Sequence, residues 1–180
     1  LKQISIPSSV VAIGNNAFEN CSLLTEITIH SKVEKINDCL FKGCTSLVHV
    51  SIPSFAIEIG KESFLMCSSL KEIKFPSSIK VIKSAAFKNC SSLTQIKIPS
   101  SVILIGNNAF EKCSSLKLID FENYSMLQKI ASYAFSDCSS LEKIEIPNSV
   151  IDIGSNVFSG CSSLKLIIVS SSLNLDFALT

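Results

Sequence analysis

Arginine and tryptophan are absent from the 180 residues, and histidine occurs only twice. No apolar run extends beyond a few residues, although 47% of the chain is hydrophobic. Each absence removes a class of function. All 16 basic residues are lysine, set against 15 acidic ones for a net charge of +1. A nucleic-acid partner calls for a basic excess and guanidinium forks, so no nucleic acid is expected. A membrane helix needs about 18 consecutive apolar residues, so no membrane insertion is expected within this segment. There is no Walker loop, no G-x-G-x-x-G and no H-E-x-x-H, hence no cofactor signature. The chain opens on Leu1 rather than Met and shows no leader pattern. It therefore reads as a segment of something longer, and missing targeting signals exclude nothing.

What the chain does contain is a repeat. Phe-x-x-Cys recurs at Phe18, Phe41, Phe64, Phe87, Phe110, Phe135 and Phe158, each followed three residues later by Cys and then, after three more, by Leu. From each Leu runs L-x-x-I-x-I or a close variant, beginning at Leu1, Leu24, Leu47, Leu70, Leu93, Leu116, Leu141 and Leu164. Alternation within this segment puts Ile96 and Ile98 on one face and Gln95 and Lys97 on the other, the pattern of a half-buried strand. Pro7, Pro53, Pro76, Pro99 and Pro147 follow the strand and, lacking an N–H, end its ladder. Gly14, Gly60, Gly106 and Gly154 follow a second apolar pair, where a further bend is expected. One such unit cannot cover its own apolar face, whereas stacked units share a continuous core. The expected fold is a repeat solenoid over 1–169, of seven to eight 23-residue units. It has short parallel strands, turns and 3-10 pieces elsewhere, and no long helix. Eight strands at about 4.8 Å spacing give a ladder roughly 34 Å long.

The unit I-P-x-S-V-x-x-I-G-x-x-A-F-x-x-C-S-S-L, clearest from Ile98 to Leu116, closely resembles the BspA-like leucine-rich repeats, a class of anaerobic protists and of oral and gut bacteria. The resemblance spans residues 1–169. It implies a curved solenoid with a parallel β-sheet on its concave face. By analogy it also implies a surface-exposed, surface-antigen type of protein that serves cell adhesion and binds host, extracellular-matrix or cell-surface proteins. The location it implies is the cell surface or outside the cell; a cytoplasmic one stays open.

Several units depart from the pattern. The second has His30 for Pro and Asn37 for Gly, and carries the extra Cys39; the third has Phe55 and Ala56 in its turn. The sixth is two residues longer within 122–126, which should bulge beyond its strand and display Tyr124. Residues 170–180 read as a degenerate last repeat or a partial C-terminal cap, since Leu173 fits the pattern and Asp176 does not. Seven of the eight cysteines hold one equivalent place per coil. Their parallel Cβ vectors give poor disulfide geometry, so they are expected as buried free thiols acting as small hydrophobes. Cys39 aligns with Asn16 and Asn108 and is expected to face solvent. No C-x-x-C occurs, so no metal site is expected.

His49 lies between Glu26 and Glu72 in one strand column, with Ser51 two residues on. This is the only imitation of a Ser–His–carboxylate or mixed-ligand metal site. The plainer reading is a surface histidine between two acids, and the chain is read as a non-enzyme. The outward strand positions form the candidate protein-binding face. One column contains Glu26, His49, Glu72, Leu118, Lys143 and Leu166, and the next contains Lys74, Lys97, Asp120 and Ile168, with Tyr124 beside them. Lys74 and Lys97 are adjacent like charges, which is unfavourable unless a partner or the neighbouring Asp120 compensates. Apolar Leu118, Leu166 and Ile168 rimmed by charge point to a protein contact; the other reading is that later repeats or the tail cover Leu166 and Ile168. The alternative is an intracellular scaffold using the same face. Three N-x-S sequons occur; Asn20 and Asn89 precede core cysteines and are expected to be poorly accessible, which leaves Asn123 as the glycan acceptor of a secreted chain.

Overall fold

The computed structural model describes residues 2–30 and 32–169. The expected 170–180 cap or last repeat, with Leu173 and Asp176, lies outside them. Coils are numbered 1 to 8 from the repeated leucines. All but coil 4 contribute a first strand to one flank: β1 (Gln3–Ile6), β2 (Glu26–Ile29), β4 (His49–Ser51), β7 (Gln95–Ile98), β9 (Leu118–Phe121), β11 (Lys143–Glu145) and β13 (Leu166–Ile168). The pairings are parallel and join equivalent residues, as in Gln3↔Glu26↔His49 and Lys97↔Asp120. The ladder is not continuous, however. It falls into β1–β2–β4, β7–β9 and β11–β13. In coil 4 residues 71–76 form no strand, and no pairing joins β9 to β11. Both interruptions fall on coils whose last strand position is Phe75 or Phe121, where most others have Ile. A phenyl group does not fit the isoleucine slot of a close-packed column without displacing backbone. Phe75 finds room edge-on to Phe87, with ring centroids 5.7 Å apart.

A second flank, which the sequence showed only as an apolar pair, carries an unbroken ladder. It consists of β3 (Lys35–Ile36), β5 (Glu58–Ile59), β6 (Val81–Ile82), β8 (Leu104–Ile105), β10 (Lys129–Ile130) and β12 (Asp152–Ile153), all parallel and consecutive in space. Coil 4 is therefore anchored here through β6 where its first segment is not. The expected 3-10 pieces around the Ala-Phe segment are single turns, and among the described residues there is no helix of any kind.

Those turns build a third ladder. In each of coils 1 to 6 three alternate N–H groups donate to carbonyls of the next coil: Asn16 to Asp38 (3.1 Å), Phe18 to Leu40 (3.0 Å) and Asn20 to Lys42 (2.7 Å), and likewise Ala85 to Asn107, Phe87 to Ala109 and Asn89 to Glu111. The donors all point toward the C-terminal coil, so their peptide dipoles add along the solenoid axis. Two residues per coil reach this arrangement through left-handed backbone. They are Asn16, Cys39, Glu62, Ala85, Asn108, Tyr133 and Asn156 in one column, and Asn20, Gly43, Met66, Asn89, Lys112, Asp137 and Gly160 in the other. The bend expected at Gly60 and Gly106 is not the reason for glycine there, because neither has positive φ. A Cβ on Gly60 would sit 2.5 Å from Ile36 O, and one on Gly106 2.7 Å from Ser84 N. Glycine there lets successive coils touch.

The core runs the length of the stack. Phe41, Phe64, Phe87, Phe110 and Phe135 are fully buried. Neighbouring rings lie face to face at centroid distances of 5.0–5.4 Å from Phe41 to Phe135. All eight cysteines are free, and the five inner column members are buried. They also do something no hydrophobe does. Each thiol S–H donates to the carbonyl of the phenylalanine one coil earlier, as Cys67 to Phe41 (3.1 Å), Cys90 to Phe64 (3.2 Å) and Cys113 to Phe87 (3.2 Å). The same carbonyls accept the backbone N–H of the cysteine in their own coil. Burial pushes the thiols of Cys44 and Cys113 up to about 12 and that of Cys161 to about 11, so they stay protonated donors.

Candidate functional site

Strand alternation sends Ile27, Ile96, Ile119 and Ile144 into the core and their neighbours outward. The expected binding residues Glu26, His49, Glu72, Lys74, Lys97, Leu118, Asp120, Tyr124, Lys143, Leu166 and Ile168 are all exposed. Register sets them in two parallel rows. One passes through Gln3, Glu26 and His49 and, farther along, through Gln95 and Leu118 and through Lys143 and Leu166. The other passes through Ser5, Thr28 and Ser51, through Lys97 and Asp120, and through Glu145 and Ile168.

Glu26, His49, Ser51 and Glu72 border one hollow, but no hydrogen bond or ion pair links His49 to the others among the described residues. Glu26 Oε2 accepts a hydrogen bond from Gln3 Nε2 at 3.2 Å. Lys97 is compensated, but not by Asp120, its register partner. Its Nζ lies 3.1 Å from Glu122 Oε1, and Glu122 Oε2 accepts the Ser100 N–H at 3.1 Å. The Ser100 amide and the Lys97 ammonium together hold the Glu122 carboxyl below its usual range. The inserted turn of coil 6 is thus pinned back onto coil 5 at its first residue, while Tyr124, in left-handed backbone, stands 97% exposed.

The interruptions of the ladder open clefts on this face. One of about 790 Å³ lies between coils 6 and 7, bordered by Leu118, Asp120, Tyr124, Lys143, Glu145 and Pro147. One of about 430 Å³ lies between coils 4 and 5, bordered by Lys74, Phe75, Gln95, Lys97 and Leu118. A third, of about 380 Å³, brings His49, Ser51, Glu72 and Lys74 to one hollow. The apolar groups stand exposed: Leu118 51%, Leu166 48% and Ile168 38%.

Two features escaped the sequence reading. On the approach to the second ladder, Val11, Ile57, Ile103 and Ile151 are exposed, with Glu34, Lys80 and Gln128 in the coils between them. The signal was there, an apolar residue in every second unit, but it sits between inward positions and merges with their hydrophobic run. Cys39, expected to face solvent, is half-buried, with its Sγ 3.8 Å from Glu62 Oε2 and Lys42 Nζ 3.1 Å from the same oxygen. Burial first, then the Glu62 charge, raises its thiol. Of the sequons, Asn123 is exposed as expected; Asn20, expected to be poorly accessible, is exposed too, and Asn89 is half-buried.

Among the described residues no helix is long and apolar enough to cross a membrane. No curated protein matches the chain. Among solved structures it is similar to a leucine rich cell surface protein from Faecalibacterium prausnitzii, with 32% identity and a TM-score of 0.84 over 94% of this chain and 48% of that one. The chain thus spans about half the length of that relative. It is also similar to the T. pallidum leucine rich repeat protein, with 30% identity and a TM-score of 0.81 over 91% of this chain and 78% of that one. The pneumococcal vaccine antigen PcpA, 22% identical with a TM-score of 0.57 over 97% of this chain and 52% of that one, shares the fold. The BspA type leucine rich repeat region matches residues 1–117 and 80–175 in 6 copies. With the 23-residue coil, the phenylalanine stack and this match in agreement, the chain belongs to the BspA-type leucine-rich repeat family.

Proposed function

We propose that the chain is a non-enzymatic protein-recognition module of a surface-exposed protein, serving adhesion or the binding of host, matrix or neighbouring-cell proteins through its first-strand face. The observation that carries the reading is the row of outward side chains in which Leu118, Leu166 and Ile168 are exposed among charges. A monomeric soluble domain gains nothing from apolar groups on a wet sheet, whereas a partner that covers them gains their burial. The rigid register fixes these groups without the ordering cost a loop would incur. The similarity to a cell surface protein supports the location. The free thiols bear on neither compartment, because parallel side chains already oppose pairing.

The test is the double variant Leu118→Asp with Tyr124→Ala, measured against immobilised matrix and host-cell surface proteins. Both side chains are exposed, so the fold is retained and binding falls by tenfold or more, as expected for loss of central interface anchors. Unchanged affinity for a ligand that binds the parent chain would move the site to the polar rows of coils 1–3.

A further inference from the structure

We propose that the first-strand face also receives a second copy of this chain, the two solenoids lying antiparallel about a two-fold axis that runs along the strands between coils 5 and 6. The proposal rests on the reading of this face as a protein-binding surface and names one partner for it. It comes from the order of charges. Along the fifth strand position, coils 4 to 7 carry Lys74, Lys97, Asp120 and Glu145. Two positive charges are followed by two negative ones, and the sign changes between coils 5 and 6. Along the third position the same coils carry Glu72, Gln95, Leu118 and Lys143, with the opposite sense.

A half-turn about an axis parallel to the strands lays face on face, keeps each row opposite itself and reverses the coil order. Coil 4 then meets coil 7, and coil 5 meets coil 6. Lys74 faces Glu145, Lys97 faces Asp120, and Glu72 faces Lys143. Every charged pair is opposite in sign, and symmetry makes each occur twice. Within one chain the coil order puts like charges on neighbouring coils, Lys74 then Lys97 and Asp120 then Glu145, and no strand pairing joins either pair. Among the described residues Glu72, Lys74, Asp120, Lys143 and Glu145 have no ion pair within 4.0 Å, and only Lys97 has one, to Glu122. The dimer gives those charges partners. It also covers Leu118, half-exposed next to the axis. Four coils at about 4.8 Å spacing make a contact roughly 14 Å long, and because the contact is isologous it closes at two copies rather than growing into a filament.

The test is sedimentation velocity of the 180-residue chain over a range of concentrations, with Lys74→Glu, Glu145→Lys and the double variant. All the altered side chains are exposed, and thermal melts check that each variant stays folded. The parent chain is expected to form dimers that weaken with salt. Each single substitution creates two like-charge pairs and is expected to weaken the dimer by tenfold or more. The double variant restores dimers, and an equimolar mixture of the two single variants dimerises where neither does alone. A parent chain that stays monomeric at every concentration overturns the proposal, as does a dimer indifferent to the single substitutions or not restored by the exchange. A monomeric parent that still binds a matrix or host protein through Leu118 leaves the recognition reading standing while the dimer falls.

Discussion

Phe87→Ala is the perturbation whose cost can be worked most fully from the structure. Phe87 is fully buried and stacks between Phe64, 5.0 Å away, and Phe110, 5.2 Å away, with Phe75 edge-on at 5.7 Å. Truncating a buried phenylalanine costs about 3–5 kcal/mol through lost transfer energy and the remaining cavity. Aromatic pairs contribute about 0.5–1.5 kcal/mol each beyond burial, and three are lost here, which puts the cost at the upper end, about 5 kcal/mol. Phe158, with one ring neighbour among the described residues, at 6.1 Å, marks the lower end, about 3 kcal/mol for the same truncation. The position has a further effect. Coils interact with nearest neighbours only, and coil 4 already lacks a strand on its first flank. The cavity therefore weakens the stack at a coil held by β6, the turn and thiol ladders and the ring column but by no strand on its first flank. Urea unfolding followed by circular dichroism is expected to lose the full cost and to split into two phases. Hydrogen exchange is expected to speed up first at the Phe87 amide, which donates to Ala109 O at 2.7 Å. A loss below about 2 kcal/mol, short of the usual range for such truncations, or a cost equal to that of Phe158→Ala, would refute the reasoning.

Three further outcomes follow from the coil geometry. The buried thiols titrate higher in the folded chain than in the unfolded one, Cys113 moving from an ordinary 9.0 to about 12. The folded state then holds the extra protons, so stability is full below the unfolded value and falls as pH rises from about 9 toward 12. Cys113→Ala is expected to flatten that alkaline slope by about one proton in urea titrations; an unchanged slope would contradict the burial of the column. Ala85 has left-handed backbone at φ 54°, which costs a non-glycine about 1–2 kcal/mol. After the extra entropy of the unfolded glycine chain, Ala85→Gly is expected to stabilise by about 0.5–1 kcal/mol, and a lower melting temperature would count against it. Gly106→Ala, by contrast, drives a Cβ against the coil below and is expected to cost about 1–3 kcal/mol, read as an earlier urea midpoint.

The sequence exposed the coil, the inward columns and the outward rows because each is a period, and a period survives substitution at single sites. The alternation in Gln95–Ile98 and the recurring Phe-x-x-Cys are of this kind. The left-handed columns are periodic too, with Asn16, Asn20, Asn89, Asn108 and Asn156 as residues that tolerate that backbone. Glu62, Met66, Ala85, Lys112 and Tyr133 occupy the same places, though, and nothing in their chemistry announces positive φ. The thiol ladder was half legible: burial follows from the column, but donation to a carbonyl one coil away depends on the turn ladder that sets the phenylalanine C=O. The breaks in the first ladder fall on the coils that carry Phe75 and Phe121 in an otherwise mainly isoleucine column, although Phe121 still pairs with Ile98. The contact of Lys97 with Glu122 was not legible, because register names only the neighbour straight across, whereas the inserted turn bends Glu122 back within reach.

A face that meets proteins outside the cell is tested most directly by antibody staining of intact and permeabilised source cells, with surface proteolysis as control. Signal on intact cells that proteolysis removes is the predicted result. Signal only after permeabilisation would contradict it and would make the same face that of an intracellular scaffold.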